Sequence, residues 1–159
     1  MPPYGGTVTL PEVVIRFGRA YPDAVVERLA AEIGQLGLPV RVEDGGPGTQ
    51  APDGAGLIAL EVPADAGVPL TGDAFRATLE VLLDGAQRRD RRLRAAGEDG
   101  EVAVVLTLPD DVRIVVPGPA GPDQSGVLTA TVVDGLGAGT LTAGTWAWDP
   151  RGRTLHPAP

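Results

Sequence analysis

The segment AQRRDRRLRAA, Ala86 to Ala96, places five of the chain's thirteen basic residues within seven positions, in a protein of net charge −8. Guanidinium groups stay charged at every physiological pH and offer a planar fork of donors that matches carboxylates and phosphates. Such a cluster can hold an anion, but it cannot move a proton. The competing chemistry lies in the carboxylates. Asp110 and Asp111 are adjacent, and paired carboxylates can hold a divalent cation or divide acid and base roles. Pro-Asp-Asp is equally good turn chemistry, however, and neighbouring side chains at a turn point apart. Glu61 closes an otherwise apolar run and reads as an exposed strand end.

Trp146 and Trp148, at i and i+2 on an extended segment, share a face. The chain has only six Trp, Tyr and Phe residues, so this pair concentrates aromatic area in one place. It either caps a sheet or forms an exposed anchor for a partner, because Trp is enriched among interface hot spots. The chain has no Cys and one His, His156. Disulfides, thiol nucleophiles and thiolate metal sites are thereby excluded. A Ser-His-Asp triad or a multi-histidine centre lacks a histidine inside the fold. The glycine-rich runs DGGPG and DGLGAG lack the spacing of nucleotide-binding loops, and neither opens a helix. No cofactor and no metal are expected.

Every basic residue is arginine, and the chain contains neither Lys nor Asn. The codons of both missing types are A-rich, so the source genome is read as GC-rich and bacterial. The preference for Arg over Lys then reflects codon usage as much as chemistry. An acidic chain with pI near 4.5 is a poor general binder of nucleic acid, which requires phosphate neutralisation. No apolar run approaches the ~18 residues of a membrane span, and the first residues carry no secretory pattern. The expectation is a soluble cytoplasmic protein that contacts neither nucleic acid nor membrane.

The elements that must position these groups follow from periodicity. EVVIRFG alternates as a half-buried strand. In YPDAVVERLAAEIGQLGLP, Val25, Leu29, Ile33 and Leu36 form one stripe of an amphipathic helix that ends at Gly37. Val40 and Val42 begin a strand that runs into a Gly/Pro-rich loop at 44–56. GLIALEVP and EVAVVLTL read as buried strands, and VRIVV as a strand with Val112, Ile114 and Val116 on one face. Between them a helix runs from Asp73 to about Ala96. With Phe75 set at 0°, Leu79, Leu82, Ala86 and Leu93 fall within about 40° of it, so the apolar stripe passes through the arginine cluster. Arg88, Arg91 and Arg92 lie at about 220°, 160° and 260°, on the opposite face, which reads first as a solvated helix terminus and alternatively as a docking surface for an acidic partner or a phosphate. Asp84–Arg88 and Asp90–Arg94 are i,i+4 pairs worth about 0.2–0.5 kcal/mol each.

The order β-α-β-β-α-β predicts an α+β fold of the ferredoxin-like split βαβ type, with two helices on one face of an antiparallel sheet. VLTATVV and TLTAGTWAW, separated by DGLGAG, read as an added C-terminal β-hairpin. The expected layout is a single domain over 1–159, with an α+β core at 12–116 and a Gly/Pro loop at 117–126. The hairpin then occupies 127–148, and a flexible tail 149–159.

The stretch from VVIRFGRAYPDAVVERLAAEIGQLG through QRRDRRLRAAGEDGEVAVVLTLPDDVRIVV resembles, in layout, the small effector-associated constant components of actinobacterial conflict systems. The shared order is strand, amphipathic helix, strand, Gly/Pro loop, apolar segment, Arg-ended helix and hairpin. The resemblance implies a non-enzymatic adaptor and transfers no functional residue. The functional expectation is a non-catalytic protein–protein interaction module, pairing with itself or with another protein. Arg88, Arg91, Arg92, Trp146 and Trp148 are its candidate contact residues. The alternative is a small-molecule-binding or enzymatic domain whose loops at 44–56 and 117–126 close over a cleft between sheet and loops.

Overall fold

The computed structural model describes residues 13–18, 21–38, 40–43, 56–97, 102–116, 124–149 and 151–158. Besides one short 3-10 turn at 64–66, the described residues form seven strands and three α-helices. They are β1 (Val13–Phe17), α1 (Asp23–Gly34), β2 (Val40–Glu43), β3 (Gly56–Glu61), α2 (Asp73–Ala95), β4 (Val102–Leu108), β5 (Val112–Val116), α3 (Gln124–Ala138), β6 (Gly144–Asp149) and β7 (Thr154–Pro157). The strands form one mixed sheet in the order β2-β1-β3-β4-β5-β6-β7.

The class is α+β, but the split βαβ arrangement is not present. In that arrangement a third strand sits between the two strands that a helix connects. Here each helix joins immediate neighbours that run parallel: β1 to β2, β3 to β4, and β5 to β6. The pairs β1/β3, β4/β5 and β6/β7 are antiparallel. Element order alone does not say which strands become neighbours, and both layouts satisfy the same hydrophobic pattern.

The helices share one face of the sheet, since α2 packs against both α1 and α3. Strand direction then constrains handedness. The step from β3 to β4 is the step from β1 to β2 turned by half a rotation in the sheet plane, so those two crossovers have the same hand. β5 runs in the direction of β1 but steps the opposite way across the sheet. The α3 crossover therefore has the opposite hand to the other two, against a rule that is otherwise nearly universal for parallel strand pairs.

That third unit contains the largest departure from the sequence reading. VLTATVV is helix, not strand, and the segment 124–126 belongs to it rather than to a loop. The β-branched residues suggested a strand, yet Leu128, Thr129, Val132 and Val133 are the buried positions. Their spacing of i, i+1, i+4, i+5 is helical, so packing overrides propensity. Thr131 Oγ1 donates back to the Val127 carbonyl at 2.8 Å. DGLGAG is not a hairpin turn but the end of this helix. Gly139 adopts φ 74°, its N–H donates to the Leu136 carbonyl, and the Thr140 N–H donates to Gly135. This is a Schellman cap, and it needs the left-handed residue that glycine supplies. The hairpin placed at 127–148 is replaced by β6/β7, which takes in most of the expected tail.

Cross-strand register sorts the sheet faces. Ile15, Leu60, Leu106, Ile114 and Trp146 lie in one row on the helix-covered side, where one apolar cluster joins sheet and helices. The β4–β5 turn carries Asp110 at φ 64° and Asp111 at φ 61°, a conformation that Asp tolerates better than most side chains. No helix among the described residues is long and apolar enough to cross a membrane.

Candidate functional site

The outer part of α2 meets α1 in a shallow groove open to solvent. Val25, Leu29 and Gly85 form its apolar base; Arg28, Arg88, Arg89 and Arg92 surround it. Gly85 is what lets the two helices approach. A Cβ there would sit 3.1 Å from Leu29 Cδ1, tighter than ordinary contact. A glycine within a 23-residue helix costs about 1 kcal/mol relative to alanine, and this close seam is its compensation.

Each arginine has a separate reason for its place. Arg28 is the only basic residue of α1 and projects from its exposed side. Arg88 and Arg92 are exposed one turn apart on α2, and Arg89 is half-buried at the edge of the apolar stripe. Ion pairs between described residues join Arg16 to Glu61 at 3.2 Å, Arg76 to Asp134 at 3.9 Å and Arg94 to Asp90 at 2.8 Å. None of these engages a groove arginine. Arg89 Nε is buried without a hydrogen-bond partner, as is Asp90 Oδ1. Asp90 is 4% exposed, so the acidic residue that interrupts the cluster in sequence points inward. On the outer surface the basic character is undiluted by it.

Tyr21 lies close to the same end of α2, edge-on to Phe17 with ring centroids 5.3 Å apart. Burial pushes its phenol well above the usual tyrosine value; Arg89 opposes the shift and Asp90 adds to it. The folded state thus favours the neutral phenol, while the unfolded chain ionises near pH 10. Stability from this group is fully present below about pH 10 and declines as pH rises above it. Tyr21→Phe should flatten that alkaline decline, measured as thermal midpoint between about pH 8 and pH 11. An unchanged alkaline slope would show that Tyr21 does not carry it.

The sequence-derived candidates do not all converge. Arg88, Arg91 and Arg92 are exposed as the helical wheel places them, but only Arg88 and Arg92 line the groove. Trp146 and Trp148 are remote, on β6. Trp148 is 2% exposed and is among the largest fully buried side chains. Trp146 is partly buried against the core and donates from Nε1 to the Thr142 carbonyl at 2.9 Å. Trp148 is therefore a core residue and not an exposed anchor.

Glu61 is exposed and paired with Arg16, an exposed strand end as expected. Asp110 and Asp111 are exposed turn residues. Among the described residues no three His, Asp or Glu side chains are grouped to hold a metal. His156 is exposed on β7. The loop at 44–56 lies outside the described residues apart from Gly56, as does the loop at 117–126 apart from the first residues of α3. Arg28, Gly85 and Arg89 are groove positions that the sequence candidates did not include. Gly85 left a signal, because a glycine inside a long apolar-striped helix marks a close packing partner. Arg28 left none, since its neighbour across the seam depends on how the two helices pair. No protein-family model, curated protein or solved structure matches the chain.

Proposed function

We propose that the protein is a non-catalytic interaction module that docks an acidic protein surface on the α1–α2 seam. The observation that carries this is the meeting of Arg28, Arg88, Arg89 and Arg92 around one apolar-based groove. Four guanidiniums on two helices favour binding of carboxylates over proton-transfer chemistry, because arginine does not titrate in the working range. The apolar base suits the aliphatic stems of Glu or Asp side chains. A net charge of −8 and a lining without aromatic side chains favour an acidic protein over nucleic acid as the occupant.

The test uses a fluorescent oligoglutamate peptide, followed by anisotropy at low ionic strength. Arg28→Gln/Arg88→Gln/Arg92→Gln is expected to weaken binding about tenfold or more, from exposed charge pairs worth up to about 1 kcal/mol each. Arg91→Gln, outside the groove, should change it less than about threefold. Both variants replace exposed side chains and should melt as the parent does. Equal binding by the groove variant and the parent would remove the proposed site.

A further inference from the structure

The outward surface of α2 carries a second pattern. Glu80, Asp84, Arg88 and Arg92 follow one another at i+4 along a single ridge, and all four are exposed. The ridge reads acid, acid, base, base. A helix that only faces solvent gains from alternating signs at this spacing, whereas like charges at i,i+4 are destabilising by similar amounts. Two of the three steps here are like-charged. The helix macrodipole does not account for the order, because its influence fades beyond the first and last turns. It covers Asp73 and Arg92 but not Glu80, Asp84 or Arg88, which lie inside the helix.

A ridge of this kind is complementary to itself reversed. A two-fold axis between Asp84 and Arg88 sets Asp84 against Arg88 of a second copy, and Glu80 against Arg92. The same axis sets Ala77 against Ala95, so small side chains flank the charged centre and permit close approach. A self-complementary patch is what an isologous dimer requires. From this we infer that Arg88 and Arg92, the two groove arginines on this ridge, dock the acidic half of α2 in a second copy of this chain. The inference rests on the docking reading above and names its partner. Among the described residues Val127 is the only large apolar side chain classed as exposed. The association is therefore driven by charge, weak, and lost at high salt.

The experiment is sedimentation velocity at high protein concentration, in about 0.02 M and about 0.5 M salt, conditions that lengthen and shorten the screening distance. Two charge-reversed proteins are compared with the parent: Glu80→Arg/Asp84→Arg and Arg88→Glu/Arg92→Glu. The parent should dimerise at low salt and dissociate at high salt. Each reversed protein alone should be monomeric, and an equimolar mixture of the two should restore the dimer, because each then presents what the other lacks. Circular dichroism melts establish that both are folded; the single reversals Glu80→Arg and Arg92→Glu replace any that is not. A parent that is monomeric at low salt, or a mixture that fails to associate, overturns the second-copy assignment. If the oligoglutamate peptide still binds the parent and not the groove variant, the docking reading survives that failure; if it binds neither, both fall.

Discussion

Trp148→Ala is expected to lower folding stability by about 3–5 kcal/mol, the range for removing a large aromatic side chain from a packed core. Trp148 is 2% exposed and sits on the helix-facing side of β6, opposite Leu155. For a domain whose whole stability is of order 5–15 kcal/mol, the variant would be near the limit of folding, with its midpoint lowered by roughly 10 °C or more. Thermal and urea melts measure this. A tryptophan acting as an exposed anchor would behave in the opposite way, leaving the melt almost unchanged and impairing association. A loss below about 1 kcal/mol would contradict the placement of β6.

Ending the chain at Asp149 is the second large effect. β7 pairs with β6 from Trp146↔Pro157 to Asp149↔Thr154, and Leu155 packs against the core cluster. Removing it strips the ladder bonds, each worth about 1 kcal/mol net, so the expected loss is on the order of 3 kcal/mol. It also leaves β6 as an open sheet edge, and open edges invite aggregation. The truncated protein should therefore melt earlier and aggregate on heating. A melt superimposable on the parent would restore the reading of this segment as a passive tail.

The contrast between these two regions and the first half of the chain shows what the sequence could and could not convey. α1 and α2 were legible because Leu29, Ile33, Phe75, Leu79, Leu82 and Leu93 repeat at helical spacing and are all buried. β4 and β5 were legible because a short Pro-Asp-Asp turn joins two apolar runs. α3 was misread because Val and Thr favour strands when isolated, and only contact with α2 and the sheet makes their helical face worth burying. β7 was missed because TLHP carries no apolar alternation; its place depends on Trp146 and Trp148 needing a neighbour. Strand order and crossover hand are properties of the assembled sheet, so no local pattern reports them.

The site was half legible for the same reason. The wheel separated Arg88, Arg91 and Arg92 from the core, because that division needs only the periodicity of one helix. It could not divide them further. Arg88 and Arg92 join the groove while Arg91 does not, because α1 lies along one side of α2 and contributes Arg28 there. The role of Gly85 likewise becomes specific only when Leu29 is seen against it.

The central claim is that an acidic surface docks between α1 and α2. It is tested most directly by locating the bound oligoglutamate peptide, using amide chemical-shift changes across the folded protein during a low-salt titration. Docking at the seam predicts that the largest changes cluster at Val25, Arg28, Leu29, Gly85, Arg88, Arg89 and Arg92, and that added salt reverses them. Changes centred on β6 and β7, or spread evenly over every arginine of the surface, would contradict it.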